Sequence, residues 1–165
     1  MSEDLLSKEH VDNVLLTAGN VLRGDDAVGP LMAKDFADAP LDGWTVIDGG
    51  QTPEDDLATI RRIAPAHIVL VDGAAMGLPP GSIRRLTADL VKTDYMVTTH
   101  SLPMTFLLAQ LHEIADDVVF LGVQIAKKDF YDPMTPAVQD AVTDIERHLR
   151  EGADLNDYPL LTDEA

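Results

Sequence analysis

Residues 18–30 read Ala-Gly-Asn-Val-Leu-Arg-Gly-Asp-Asp-Ala-Val-Gly-Pro and set the architecture of the chain. An apolar run at Val14–Ala18 leads into this stretch, and apolar residues at helical spacing follow it, so the pattern predicts a strand, a glycine-rich turn and a helix. The adjacent carboxylates of Asp25 and Asp26 lie where the turn meets the helix. The turn matches neither of the usual nucleotide-binding glycine patterns. It therefore favours a cation, a water molecule or a basic group as ligand.

The same alternation of strands and helices continues along the chain. Further extended segments are predicted at Trp44–Asp48, His67–Val71, Ser82–Leu86 (at a sheet edge), Met96–His100 and Val118–Val123. Further helices are predicted from Pro53, from Pro103 and over Val138–Leu149, the last with Thr135 as its cap. This pattern predicts an α/β three-layer sandwich, with a mostly parallel twisted sheet of about five strands and helices on both faces.

Length and the character of the two ends predict one domain over residues 1–165. We expect a core at about 13–150, with a leader (1–12) and an acidic tail (151–165) that are mobile. No apolar run approaches the ~20 residues of a membrane span. The first ten residues carry acids where a signal peptide carries basic residues. We therefore expect a cytoplasmic protein that does not insert into membranes, and a monomer.

Charge and cysteine content exclude several classes of function. The formal net charge is −17, from 29 acidic residues against 12 Lys and Arg, so the surface repels nucleic acid. Such a surface attracts cations or a basic peptide, although most of the charge can serve solubility alone. The chain has no cysteine, which excludes disulfides, thiolate metal ligands and a thiol nucleophile. Any metal must be held by oxygen and imidazole ligands.

Three side chains follow predicted strands and are candidates for the chemistry: Asp26, Asp72 and His100. The carboxyl ends of parallel strands meet at one edge of a sheet, so two carboxylates and an imidazole are expected there. Such ligands suit Zn²⁺ or Ni²⁺. Each position also has a structural interpretation. An Asp before a helix is often an N-cap, the role we expect for Asp25, Asp72-Gly73 can form a turn, and His100 can brace a helix entry.

Several motifs together resemble one enzyme family. They are Gly19-Asn20-x-x-x-Gly24-Asp25-Asp26-x-x-Gly29-Pro30, Val46-Ile47-Asp48-Gly49-Gly50, Val71-Asp72 with Met76-Gly77-Leu78, Thr98-Thr99-His100, Phe120-Leu121-Gly122-Val123-Gln124 and Pro133-Met134-Thr135. In order and spacing the chain resembles the hydrogenase maturation endopeptidases, most closely the hydrogenase 3 (formate hydrogenlyase) type. The resemblance covers about Asn13–Leu149 and rests on several independent motifs.

The resemblance implies an activity and a set of site residues. Members of the family remove a C-terminal extension from the precursor of a [NiFe]-hydrogenase large subunit after nickel has been inserted. The metal-contacting, catalytic residues then fall on Asp26, Asp72 and His100, as in an aspartyl-type endopeptidase. The nickel is supplied by the substrate and serves as the recognition element, and no organic cofactor is expected.

Two other interpretations remain open at this stage. One is a metal-dependent hydrolase that carries its own permanent metal. The other is a non-catalytic nickel checkpoint that binds the precursor without cleaving it.

Overall fold

The computed structural model describes residues 13–91 and 104–162, which form a five-stranded sheet with helices on both faces. The strand order is β2-β1-β3-β5-β4, and only β4 pairs antiparallel to its neighbour. The strands are β1 Asn13–Thr17, β2 Trp44–Asp48, β3 His67–Ala74, β4 Ile83–Leu86 and β5 Asp117–Gln124. The predicted fold class and the edge position of β4 are confirmed.

The helices cover the sheet in two layers, each over its own apolar core. They are α1 Val28–Asp38, α2 Leu57–Ile63, α3 Ala88–Val91, α4 Met104–Ile114 and α5 Pro136–Glu151. Alternate residues of β1 serve opposite cores, since Leu15 packs with α1 and α5 while Val14 and Leu16 pack with α2 and α4. Within the described residues, no helix is long and apolar enough to cross a membrane. The predicted extended segment Met96–His100 lies outside the described residues.

The strands do not all end at the same level, and this changes the place of Asp72. β1 ends at Thr17, which is in register with Asp48 and Val71. β3 continues past this level to Ala74 because β5 supplies partners as far as Gln124. Asp72 therefore lies inside β3 and not at its end, and the predicted strand boundary at Val71 was too early. The turn interpretation of Asp72-Gly73 is wrong for the same reason.

The segment after α5 is packed against the sheet as far as residue 162, which differs from the mobile tail expected from its composition. Leu155 and Tyr158 are buried in the core under α1 and α5, and Leu161 is buried in the opposite core. Between them the chain passes the free edge of β4, where Arg85 donates its N–H to the carbonyl of Pro159 at 2.8 Å. The tail thus covers part of an edge strand that would otherwise expose its backbone groups.

Candidate active site

The glycine-rich turn after β1 is held in close backbone contact with two neighbouring segments. A Cβ on Gly29 would lie 2.2 Å from the carbonyl oxygen of Ala18, so only glycine allows α1 to begin this near β1. Gly24 has φ +53°, and its Cβ would lie 2.7 Å from the carbonyl oxygen of Lys127. Gly24 opens the 3-10 turn Gly24–Ala27, which carries both carboxylates and leads directly into α1. These glycines therefore serve close packing in this protein.

Asp25 is a fully buried carboxylate that ties the turn to the segments around β5 and α5. Its Oδ2 accepts backbone N–H groups of Ala126 and Lys127, both at 2.8 Å, and the Thr135 hydroxyl at 2.7 Å. Its Oδ1 accepts the backbone N–H of Thr135 at 2.6 Å. Burial would raise the pKa of this carboxyl, but the hydrogen bonds outweigh burial and lower it. The group is therefore ionised and holds three segments together.

Of the two predicted caps at this edge, that of Asp25 is wrong and that of Thr135 is confirmed in position but not in its hydrogen bond. Asp25 lies inside the 3-10 turn, and the position before α1 is taken by Ala27, which makes no side-chain cap. Thr135 does occupy the N-cap position of α5, but its hydroxyl donates to Asp25 and not to the helix. A carboxylate surrounded by backbone N–H groups from distant segments cannot be distinguished from a helix cap in one sequence, because both are an Asp before a helix.

Asp26 lies in the same 3-10 turn and faces a different side. Its side chain is fully buried. Its backbone N–H donates to the carbonyl of Arg23 at 2.9 Å, and its carbonyl accepts the N–H of Asn20 at 3.0 Å. The carboxylate points toward β3, since a Cβ built on Gly73 would be 3.9 Å from Oδ1 of Asp26. The turn thus directs the carboxylate of Asp25 toward the backbone at 126–127 and 135, and the carboxylate of Asp26 toward β3.

Asp72 precedes Gly73 in β3, so the carboxylate of Asp26 lies beside the strand one residue away from Asp72. Asp72 is fully buried, and its Oδ1 accepts the backbone N–H of Gly73 at 2.8 Å. Alternation along β3 puts Asp72 on the face of Leu70 and Ala74, whereas Asp26 reaches β3 beside Gly73. The two carboxylates therefore flank the same short stretch of β3 from opposite faces of the sheet.

The third candidate, His100, lies outside the described residues. Among residues 13–91 and 104–162, no group of three His, Asp or Glu side chains has the arrangement of a metal site. The roles of Asp26, Asp72 and His100 as ligands and catalytic residues stay predictions.

A buried glutamine shapes the loop that follows β3. Gln124, the last residue of β5, accepts the backbone N–H groups of Met76 at 2.6 Å and Leu78 at 3.3 Å through Oε1. Its Nε2 donates to the carbonyl of Ile125 at 2.8 Å. One sequence signal for this role is an amide side chain directly after the apolar run Val118–Val123. Gln124 therefore fixes the path of the chain just beyond the two carboxylates.

Comparison with known proteins identifies the family. The family model described as hydrogenase maturation protease matches residues 28–151 of the chain. The hydrogenase 3 maturation protease of Escherichia coli (strain K12) is 44% identical over 137 residues, covering 83% of this chain and 88% of the relative.

Solved structures agree with this match. The solution structure of the endopeptidase HycI from Escherichia coli has a TM-score of 0.84 at 40% identity, covering 93% of this chain and 98% of that one. The [NiFe] hydrogenase maturation protease HycI from Thermococcus kodakarensis KOD1 shares the fold, with a TM-score of 0.73 at 23% identity over 91% of this chain and 96% of that one. The chain therefore belongs to the hydrogenase maturation protease family, whose members are peptide-cleaving enzymes.

Proposed function

We propose that this protein cleaves the precursor of a [NiFe]-hydrogenase large subunit of the hydrogenase 3 type, and removes its C-terminal extension after nickel insertion. The observation that supports this is the burial of two carboxylates, Asp26 and Asp72, beside the same stretch of β3. Membership of the maturation protease family supplies the reaction class, and the names of the relatives point to hydrogenase 3.

In this proposal the nickel of the precursor is part of the substrate. Asp26 and Asp72 supply carboxylate oxygens, and His100 supplies an imidazole nitrogen. A donor set of oxygen and nitrogen atoms suits Ni²⁺. Coordination needs ionised carboxylates and a neutral imidazole, so docking weakens as the pH falls through the pKa of the imidazole. A precursor without nickel lacks this contact and is left uncleaved.

The proposal assigns the attack on the scissile bond to an activated water molecule; the chain has no cysteine that could act as a thiol nucleophile. One carboxylate of the pair can take the proton from water as a general base while water attacks the carbonyl carbon. Polarisation of the water or the carbonyl by the substrate's nickel is the alternative. Replacement of either Asp by Asn removes the proton acceptor but keeps the size of the side chain.

The test is mass spectrometry of the cognate precursor, with and without nickel, after incubation with the purified protein. Wild type should shorten the nickel-loaded precursor only. Asp26→Asn and Asp72→Asn should each slow cleavage by about 10²- to 10⁴-fold. Asp38→Asn is the matched control, because Asp38 is an exposed residue whose carboxylate pairs with Lys34, and it should cleave at the wild-type rate. Unchanged cleavage by Asp26→Asn would show that the assigned residue is wrong.

Two further measurements separate this proposal from its rivals. Metal analysis of the purified protein should find no stoichiometric metal; one bound metal per chain would favour a hydrolase with its own metal. A precursor that forms a complex but keeps its mass would favour a checkpoint protein without protease activity. Cytoplasmic location and a monomeric state complete the proposal, and cell fractionation and sedimentation test them.

A further inference from the structure

Two loops beside the candidate active site carry an exposed apolar surface that the chemistry of Asp26 and Asp72 does not use. We infer that this surface docks the folded large-subunit precursor, through an apolar side chain of the precursor that is flanked by carboxylates. The inference rests on the proposed function for the identity of the partner. We call the surface the loop patch and define it by Val21, Leu22, Phe130 and Tyr131.

The loop patch concentrates apolar side chains that are exposed to solvent. Of the six large apolar side chains exposed in the described residues, four belong to it. Tyr131 is 83% exposed, Val21 69%, Phe130 60% and Leu22 49%. Single exposed apolar residues are ordinary, but a contiguous group on two adjoining loops is typical of an interaction site.

The two loops are fixed to each other, so the patch is formed before any partner binds. The backbone N–H of Tyr131 donates to the carbonyl of Leu22 at 2.8 Å. Arg23 donates from Nε to the carbonyl of Lys128 at 3.1 Å, and its guanidinium lies 5.3 Å from the centre of the Phe130 ring. Asp25 anchors the bases of both loops. A surface ordered in this way loses little conformational entropy on binding.

The backbone at Tyr131 is in a conformation that disfavours its side chain. Its φ is +66°, the left-handed region, which costs a non-glycine residue roughly 1 kcal/mol. Asn or Gly would relieve this cost, and Tyr131 does not repay it by burial, since it is the most exposed member of the patch. A large aromatic ring held outward in a strained turn indicates selection for contact with something outside the chain.

A cavity of about 490 Å³ adjoins the patch and provides a place for an apolar side chain of the partner. It opens between the same two loops, α1 and α5. Its lining includes Val21, Leu31, Pro133 and Met134 together with the polar side chains of Lys34 and Asp132. The volume exceeds that of one aromatic side chain, so the precursor can place such a group there as an anchor.

The charge around the patch indicates the chemistry of its partner. The whole chain has a net charge of −17, yet the adjacent Lys127 and Lys128 lie in one of the two loops, where Asp129 follows them. Within the part of the chain that the structure describes, neither ammonium group has a hydrogen bond or an ion pair. Two unpaired cations beside an apolar patch are complementary to carboxylates flanking an apolar group.

The loop patch also lies in the same turn as the candidate catalytic residue Asp26. Val21 and Leu22 precede Asp26 in the same glycine-rich turn, whose ends are joined by the hydrogen bond from Asn20 N–H to the Asp26 carbonyl. A partner seated on the patch therefore contacts the segment that carries the candidate catalytic carboxylate. Docking there brings the precursor to the edge of the sheet where cleavage is proposed.

The first experiment measures cleavage of nickel-loaded precursor by Phe130→Ser/Tyr131→Asn, over a range of precursor concentrations. Asn tolerates the positive φ at position 131, so the loop keeps its shape. We expect KM to rise about tenfold or more, with kcat within about twofold of wild type. Leu160→Ser is the control, since Leu160 is an exposed apolar residue of the tail, and it should leave KM unchanged. An unchanged KM in the loop-patch variant would overturn the inference.

The second experiment tests the charge. Lys127→Glu/Lys128→Glu should slow association with the precursor by about tenfold at low salt, and by less as the salt concentration rises. Arg61→Glu/Arg62→Glu makes the same change in net charge on α2 and should have less than about a third of this effect. Equal effects of the two double variants would mean that only the total charge matters, and would overturn the assignment of the lysines.

The two proposals fail in different ways. If wild type cleaves the precursor and the loop-patch variant does so equally well, docking lies elsewhere and the protease function stands. If wild type binds the precursor without cleaving it, and the loop-patch variant loses binding, docking stands and the protease function fails. If wild type neither binds nor cleaves any nickel-loaded large-subunit precursor, both are wrong.

Discussion

Two parts of the fold each remove a carboxyl group from water, with opposite effects on its pKa. They are the loop cluster at the carboxyl end of the sheet and the interface between α1 and α5. In the loop cluster, Asp25 accepts four hydrogen bonds from Ala126, Lys127 and Thr135, and its pKa is lowered. At the α1–α5 interface, burial, followed by the hydrogen bond and the charge of Asp35, raises the pKa of Glu146 to about 8, although Arg150 acts to lower it.

The difference shows that burial does not decide the charge of a carboxyl group by itself. Burial acts to raise the pKa of both groups, and the hydrogen-bonding partners determine whether the pKa ends up lowered, as in Asp25, or raised, as in Glu146. Backbone N–H groups in fixed positions stabilise the ionised Asp25, whereas a second carboxyl favours a shared proton at Glu146. The loop cluster therefore stabilises the ionised form of Asp25, whereas the helix interface favours the protonated, uncharged form of Glu146.

Asp25→Asn should give the largest loss of stability in this comparison. An asparagine amide keeps one acceptor oxygen and turns its NH₂ group toward groups that need an acceptor, so at least one backbone N–H group loses its partner. We expect the free energy of unfolding to fall by ~3 kcal/mol, as measured by urea denaturation at pH 7. The exposed Asp38→Asn should change it by less than ~0.5 kcal/mol. A similarly small effect at Asp25 would contradict the role assigned to its charge.

Gly24→Ala tests the backbone side of the same cluster. The new Cβ would lie 2.7 Å from the carbonyl oxygen of Lys127, and the residue would keep a φ of +53°. Both effects act in the same direction, and we expect a loss of ~2 kcal/mol in the free energy of unfolding. Gly43→Ala is the matched control, because Gly43 also has a positive φ, of +83°, but has nothing within 4 Å of the added Cβ. Equal losses at the two positions would mean that only the backbone angle matters.

Thr135→Val removes one of the four hydrogen bonds to Asp25 and keeps the shape of the side chain. The backbone N–H of Thr135 still donates to Oδ1, so the carboxylate keeps three partners. We expect the free energy of unfolding, measured by urea denaturation, to fall by ~1 kcal/mol, which is less than for Asp25→Asn. Combined with Asp25→Asn, the substitution should add almost nothing, because its partner has already been changed. Full additivity in this double-mutant cycle would exclude a direct interaction.

The sheet and its helices could be predicted from the sequence because their signals are local. Apolar runs at Val14–Ala18 and His67–Val71 and the helical spacing from Val28 onward are properties of short segments. The end of β3 was missed, because the pairing of Asp72–Ala74 depends on the length of β5 and is not a property of the segment itself. The burial of Leu155, Tyr158 and Leu161 was missed for a similar reason, since three separated apolar residues in an acidic tail carry no periodicity.

The site was predictable in its composition and less so in its geometry. Topology alone selected Asp26 and Asp72 as candidates at one edge, and in the structure both are buried, with Asp26 Oδ1 beside Gly73, the residue after Asp72. The sequence could not show that Asp25 would bind the 126–127 backbone, because the donors are about a hundred residues away along the chain. The exposure of Phe130 and Tyr131 was equally hidden, since aromatic residues are more often buried.

Glu146→Gln tests the second half of the comparison and should give a small effect of the opposite sign, a gain in stability. The pKa of Glu146 rises from 4.5 to about 8 on folding, so between these pH values the unfolded chain is ionised while the folded protein keeps the proton. Unfolding then releases a proton, and stability falls as the pH rises through this window. Glutamine does not titrate, so the free energy of unfolding of the variant should rise relative to that of wild type as the pH rises over the same range.

The expected gain at pH 9 is ~1 kcal/mol, because Glu146 is only partly buried and solvent screens its charge. Urea denaturation at pH 5 and pH 9 measures it, with little difference between variant and wild type expected at pH 5. Glu151→Gln, an exposed change on the same helix, should show no such trend. A variant that is equally stable relative to wild type at both pH values would mean that Glu146 is ionised throughout. The contrast with Asp25 would then reduce to the number of hydrogen bonds that each carboxylate accepts.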